Sequence, residues 1–183
     1  MSPETKSLRS EQFTRKEGSE TVTDQITLTP YSLDQALEIF TLIDNNREFF
    51  TEFDTDWTNK YKTQDQLEES IRAQEEGKQR FLIQNMSNEV VGGCRIKIDD
   101  DDPKSAEIGY FIDQHQTMKR YATQTVLTLI NYATNQMNLD KLHAYVNPTN
   151  LGSVRVLEGN GFEYSGLDNG DPNYHRYIRS LQK

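Results

Sequence analysis

Residues Gln116–Thr123, read Gln-Thr-Met-Lys-Arg-Tyr-Ala-Thr, are the stretch whose types and spacing suggest chemistry first. A strand ends just before them, at Asp113, and a long helix opens near Tyr121. The first turn of a helix carries N–H groups with no intrahelical acceptor, together with a partial positive charge. That combination binds phosphate. Lys119 and Arg120 add two cations at the same place. On an arbitrary loop two basic residues are ordinary surface charge, so the reading depends on the surrounding elements.

Other chemistries are disfavoured by their absent patterns. The chain has no G-x-x-x-x-G-K-[ST] and no G-x-S-x-G, and Gly159-Asn160-Gly161 is a lone G-x-G at a helix end. Three histidines (His115, His143, His175) and one cysteine, Cys94, give no zinc spacing. Asp99–Asp102 is an acidic run before Pro103. A calcium loop needs spaced ligands and a glycine turn, so the run reads as a solvated strand connection. No metal is expected. Cys94 excludes an internal disulfide and, inside an apolar run, reads as a small core residue.

With 183 residues the chain suits one domain with a core. We read Met1–Ser10 as a polar tail and residues 11–183 as the domain. The formal charge is −9, which disfavours nonspecific nucleic-acid binding. An acidic surface suits cationic partners such as amines, and solubility explains it equally well. No apolar run approaches a membrane span and no leader peptide is visible, so the expected location is the cytoplasm.

The elements that must position the junction follow from periodicity. Strands are expected at Glu11–Lys16 and Val22–Thr29. A helix should open at Ser32 with a Ser32/Gln35 capping box. A second box, Thr63/Gln66, should open a helix ending at Gly77 as its C′ residue. Between them, Phe49, Phe50, Phe53, Trp57 and Tyr61 read either as a satellite hydrophobic cluster or as a substrate wall. Arg80–Asn85 and Val90–Ile98 read as a hairpin, and Ser105–Asp113 as the next strand. Tyr121–Met137 is a helix with Ala122, Val126, Leu129, Ile130, Ala133 and Met137 on one face. Lys141–Val146 alternates, Asn150–Asn160 is a short helix, and Phe162–Gly166 with Tyr174–Leu181 form a last strand pair. Hairpin-joined strands imply antiparallel pairing, and the strand–helix–strand unit implies one parallel pair. The expected class is α/β with a mixed sheet.

Five short pieces then occur in order: Ala-Glu-Ile-Gly-Tyr (106–110), Tyr-Ala-Thr (121–123), Asn-Pro-Thr-Asn (147–150), Ser153, and Val-Leu-Glu-x-x-Gly-Phe (156–162). The ordered set resembles the GNAT acetyltransferases, specifically their RimJ/RimL branch, best over residues 105–166. The resemblance implies a predominantly antiparallel sheet with a central, splayed parallel pair flanked by helices. It implies acetyl-CoA as co-substrate, with the pantetheine arm in the gap between Glu107–Asp113 and Lys141–Val146. Backbone near Phe111, Ile112 and Asp113 would pair with that arm. Met118, Lys119, Arg120, Tyr121, Ala122 and Thr123 would cradle the pyrophosphate, and Asn150 and Ser153 would sit near the sulfur. The family pattern in the loop is approximately Gln-Gly-x-Gly-Tyr-Ala-Thr, and here Met118 and Arg120 stand at both glycine positions. Forcing such residues into the left-handed region costs about 1–2 kcal/mol each. Lys119 and Arg120 could compensate by charge, or the Arg120 side chain could plug the seat.

The same resemblance implies transfer of the acetyl group to a primary amine. An α-amino group titrates near about 7.8 and lysine near about 10.4, so an α-amine asks far less of a base at neutral pH. A protein N-terminus of ribosomal-protein type is the expected acceptor. A small amine (polyamine or aminoglycoside-like) and a catalytically degenerate binding module are the alternatives. Glu107 is the candidate base and Ser153 the candidate donor to the leaving thiolate. Leu157 matches the position where many relatives carry a tyrosine donor. Trp57 is the candidate acceptor-pocket residue. Oligomeric state stays open, a homodimer included.

Overall fold

The computed structural model describes residues 7–9, 15–17, 20–22, 26–54, 59–168 and 171–181. Ten strands are found among them: β1 Leu8–Arg9, β2 Arg15–Glu17, β3 Glu20–Val22, β4 Thr27–Pro30, β5 Lys78–Gln84, β6 Val90–Ile98, β7 Ser105–Ile112, β8 Lys141–Val146, β9 Glu163–Leu167 and β10 His175–Ser180. The helices are α1 Ala36–Asn45, α2 Arg47–Thr51, α3 Gln64–Ala73, α4 Tyr121–Asn135 and α5 Leu151–Gly159. Eight strands form one sheet in the order β1-β4-β5-β6-β7-β8-β10-β9, and β2-β3 pair separately. Every neighbour in the large sheet is antiparallel except β7 with β8.

The sheet is buried on both faces at its centre. In β5, Phe81 and Ile83 join the larger core with Val126, Leu129 and Ala133 of α4, whereas Leu82 joins Ile39, Ile43, Leu67 and Ile71 from α1 and α3. The period of two along β5 therefore feeds two cores, one beneath each helical layer. In β6, Gly92 and Gly93 allow the next strand to come close: a Cβ on Gly93 would stand 2.6 Å from the Tyr31 hydroxyl and 2.7 Å from the Phe111 ring.

Several local expectations are corrected. Part of the expected polar tail is structure: Leu8–Arg9 pairs with Thr27–Leu28, and Leu8 is buried because its strand extends the sheet edge over the core. The single strand expected at Val22–Thr29 is two pieces in different sheets. The Ser32/Gln35 capping box does not form. The two side chains bond each other at 3.1 Å and a 3-10 turn, Leu33–Gln35, precedes α1. At α3, Thr63 accepts from the Gln66 N–H, but the Gln66 side chain reaches the Lys62 N–H rather than that of Thr63. The helix stops at Gln74, itself left-handed (φ 39°), three residues short of Gly77. Gly77 instead stands just before β5, its carbonyl accepting from the Ile98 N–H.

Candidate active site

The gap expected between two parallel strands is present, and its origin is a short ladder. β7 and β8 share three register pairs, Ser105–Lys141, Ala106–Leu142 and Glu107–His143. Beyond Glu107 both strands continue unpaired with each other, to Ile112 and Val146. β7 stays bound to β6 along its whole length. The Asp113 N–H donates to the Val91 carbonyl at 2.9 Å. Alternation along an antiparallel ladder then turns the backbone of Phe111 toward β6 as well, and that of Tyr110 and Ile112 into the gap. Of Phe111, Ile112 and Asp113, Ile112 turns its main-chain groups into the gap, and Phe111 and Asp113 turn theirs toward β6.

At the open end of the gap lies the Gln116–Thr123 junction. Met118 and Arg120 both have φ of 64°. The two positions held by glycine in the resembled pattern thus keep the left-handed turns that glycine would supply at no steric cost. Arg120 is the N-cap of α4, and no side chain caps the helix. The N–H groups of Tyr121, Ala122 and Thr123 find no backbone acceptor among the described residues, the Gln124 N–H being the first to do so, on Arg120. Lys119 Nζ rests 2.8 Å from Gln116 Oε1, at the surface. The loop is braced from below. Asn46, almost wholly buried at the α1–α2 junction, accepts from the Gln114 N–H at 2.8 Å and donates to the Leu42 carbonyl at 2.9 Å. The Asp113 carboxylate accepts from His115 N–H, and Thr117 Oγ1 donates to the Gln114 carbonyl.

On the α4–α5 side of the gap, Asn150 caps α5 by accepting from the Ser153 N–H at 3.0 Å. Ser153 Oγ stands 2.9 Å from the Tyr110 hydroxyl, which comes across from β7. Burial, opposed by the hydrogen bond with Ser153, pushes the Tyr110 phenol up to about 12. It is therefore a neutral donor at any physiological pH. Sequence reasoning missed Tyr110 as a site residue. The signal was its parity: it shares a face with Ala106 and Ile108, which are buried against α4. Leu157, buried in the core, offers no donor.

Glu107 lies on the other face. It is bonded to Arg95 across the β6–β7 ladder and faces His143 in register. His143 is buried, with Nε2 2.8 Å from Asp99 Oδ1. Although burial works against it, the neighbouring Ser105 hydroxyl and His143, with the Lys141 charge, hold the Asp99 carboxyl below its ordinary value. The acidic run is thus a strand connection that also seats a histidine, and no metal-binding cluster occurs among the described residues. Cys94 is buried and unpaired, its thiol pushed up by burial. The two candidate catalytic residues, Glu107 and Ser153, are consequently brought to opposite faces of the same gap.

The aromatic segment divides. Phe50 is buried against Phe111 with ring centroids 5.4 Å apart, and Tyr61 is buried with its hydroxyl 3.1 Å from Ser70 Oγ. These two are packing residues. The Phe53 carbonyl accepts from the Tyr174 hydroxyl and from Asn147, roofing the ends of β8 and β10. Trp57 lies outside the described residues. A shallow depression of about 330 Å³, lined by Asn131, Thr134 and Arg179 among others, lies at the far end of α4 and contains none of these groups. No helix among the described residues is long and apolar enough to cross a membrane.

Comparison with known proteins agrees with this geometry. Residues 25–163 match the Acetyltransferase (GNAT) domain family. The probable N-acetyltransferase YjcK of Bacillus subtilis is 30% identical over 149 residues, covering 78% of this chain and 82% of that protein. The uncharacterised N-acetyltransferase p20 of Bacillus licheniformis is 33% identical over 86 residues, a match spanning about half of either chain (47% and 48%). Among solved structures, RimL, a ribosomal α-N-protein acetyltransferase in complex with coenzyme A, superposes with a TM-score of 0.76 at 19% identity, over 85% of this chain and 94% of that one. The spermidine N-acetyltransferase of Vibrio cholerae, in complex with coenzyme A and spermine, gives 0.72 at 22% identity over 85% and 95%. At these identities the structures share the fold. The domain match across most of the chain, with the splayed parallel strands in place, makes this chain a member of the GNAT family of acetyl-CoA-dependent N-acetyltransferases.

Proposed function

We propose that the chain acetylates an α-amine, most simply a protein N-terminus, with the thioester of acetyl-CoA held in the β7–β8 gap. The observation that carries this reading is the Arg95–Glu107 pair on the acceptor face. A carboxylate already engaged by a guanidinium orients an amine more readily than it removes a proton from one. Such a site suits an acceptor that is partly neutral at working pH. An α-amine is; a polyamine or lysine nitrogen is overwhelmingly protonated.

In this reading the N–H groups of Tyr121–Thr123, with Lys119 and Arg120 beside them, hold the pyrophosphate. The Tyr110 and Ile112 backbones pair with the pantetheine amides. The amine arrives on the Glu107 face and its nitrogen attacks the thioester carbonyl. A C–N bond forms, the C–S bond breaks, and the nitrogen, strongly acidic once acylated, gives its proton to water beside Glu107. The thiolate takes a proton from Ser153, whose hydroxyl is held 2.9 Å from that of Tyr110 and regains its proton from solvent. A thiolate leaves easily, so this donor lowers the barrier modestly.

Thiol release from acetyl-CoA, measured with a panel of N-terminal peptides, spermidine and an amino-sugar, tests the assignment. Peptides should be turned over with the highest kcat/KM. Turnover confined to spermidine, or to no amine at all, would refute it.

A further inference from the structure

We propose that Arg176 determines acceptor specificity in this enzyme by binding a carboxylate carried close to the amine that is acetylated. The inference deepens the α-amine reading and rests on the Glu107 face being the acceptor side.

Three observations converge. First, register: Arg176 of β10 lies directly opposite Tyr145 of β8, so the two share a face. Tyr145 stands two residues beyond His143, the last residue of β8 paired with β7. Successive residues of one parity point to one side, so Glu107, His143, Tyr145 and Arg176 all look onto the acceptor face. Arg176 is two strands from β7, about 10 Å at the usual spacing, and level with the point where the gap opens. An extended arginine covers most of that distance.

Second, the Arg176 Nε has no partner among the described residues. That nitrogen is enclosed, and the side chain forms no ion pair among those residues. The chain has 29 Asp and Glu against 20 Lys and Arg, so carboxylates are in excess. The other cations of this region are engaged: Arg95 with Glu107, and Lys141 with Asp102. An enclosed donor without an acceptor is destabilising unless a ligand supplies one. Arginine is also the side chain whose fork matches a carboxylate.

Third, charge is arranged in both signs around one point. Burial suppresses ionisation of Tyr145, with Arg176 opposing that effect while Asp168, Glu107 and Asp99 reinforce it. A cation on one side and carboxylates on the other complement an acceptor bearing an ammonium and a carboxylate together. They do not complement a polycation. The carboxylate can be that of a free amino acid or the side chain of an acidic residue at a peptide N-terminus; the chemistry recognised is the same.

The test compares acceptors differing in one group. Full-length enzyme is assayed with a Ser-Asp-initiated peptide against its Ser-Asn twin, with a free amino acid against its amide, and with spermidine. The wild type should prefer the acidic member of at least one pair by tenfold or more in kcat/KM, and the pair showing it identifies the source. Arg176→Gln should abolish that preference through KM, with acetyl-CoA affinity unchanged, while Arg176→Lys should retain part of it. Equal use of both members by the wild type, or an undiminished preference in Arg176→Gln, overturns the inference and leaves the α-amine reading standing. Turnover of spermidine alone overturns both.

Discussion

Met118→Gly isolates the energetics of the phosphate loop. Met118 has φ of 64° and its side chain is 98% exposed, so truncation removes no packing. What changes is backbone strain. An L-residue held in the left-handed region costs about 1–2 kcal/mol relative to glycine. Against that, glycine widens the unfolded ensemble by about 0.4–1 kcal/mol. The difference leaves a net gain of about 0.5–1 kcal/mol. In a chain of this size that raises Tm by about 1–4 °C. Met118→Ala is the control, since it removes the same side chain and keeps the strain. Urea unfolding of the three proteins, with matched m-values, reads the differences directly. Calorimetric titration with coenzyme A should give similar affinities throughout, because the N–H donors of Tyr121–Thr123 survive both changes. Equal stability of the glycine and alanine variants would refute the reasoning. It would mean that the turn at 118 is not left-handed in solution and that the loop differs from the glycine-built one of the resembled pattern.

Other perturbations probe the rest of the site. Ser153→Ala should lower kcat about tenfold, below the usual general-acid range of about 10²–10⁴ because a thiolate leaves easily, with acetyl-CoA affinity within about twofold; equal losses in both would remove the donor role. Tyr110 is raised to about 12 by burial, so its neutral form contributes stability that is fully present below the ordinary phenol range near about 10 and is lost between there and about 12. Tyr110→Phe should therefore lose less stability than wild type between pH 9 and about 11.5 in urea titrations, and parallel losses would contradict the assignment. Asn46→Ala strips the Gln114 N–H and the Leu42 carbonyl of a partner, costing about 1–3 kcal/mol, and should weaken coenzyme A binding because the brace under the phosphate loop is gone. Gly93→Ala places a methyl against Tyr31 and Phe111 and should cost about 1–3 kcal/mol by overpacking.

Much of this protein is written locally, in periodicity and in caps. The α4 helix, the β5–β6 hairpin, the Asn150 cap on α5 and the ordered pieces between Ala106 and Phe162 each depend on residues close in sequence, and each was legible. The β7–α4 junction was legible for the same reason: a strand end, two cations and a helix start lie within about ten residues, and the helix supplies its own free N–H groups wherever it begins.

What only the tertiary structure decided is everything set by register between distant strands. Nothing in Tyr110 or Ser153 alone says that their hydroxyls meet across 43 residues. Nothing in Glu107 says that Arg95 takes it, or that it faces away from Ser153. A one-residue shift of β7 would exchange all of these faces, because side chains alternate with a period of two. The left-handed turns of Met118 and Arg120 sit on a β7–α4 connection that is braced on Asn46, from a helix some seventy residues earlier. Local chemistry named the groups, and long-range pairing decided which of them stand on the same side of the gap.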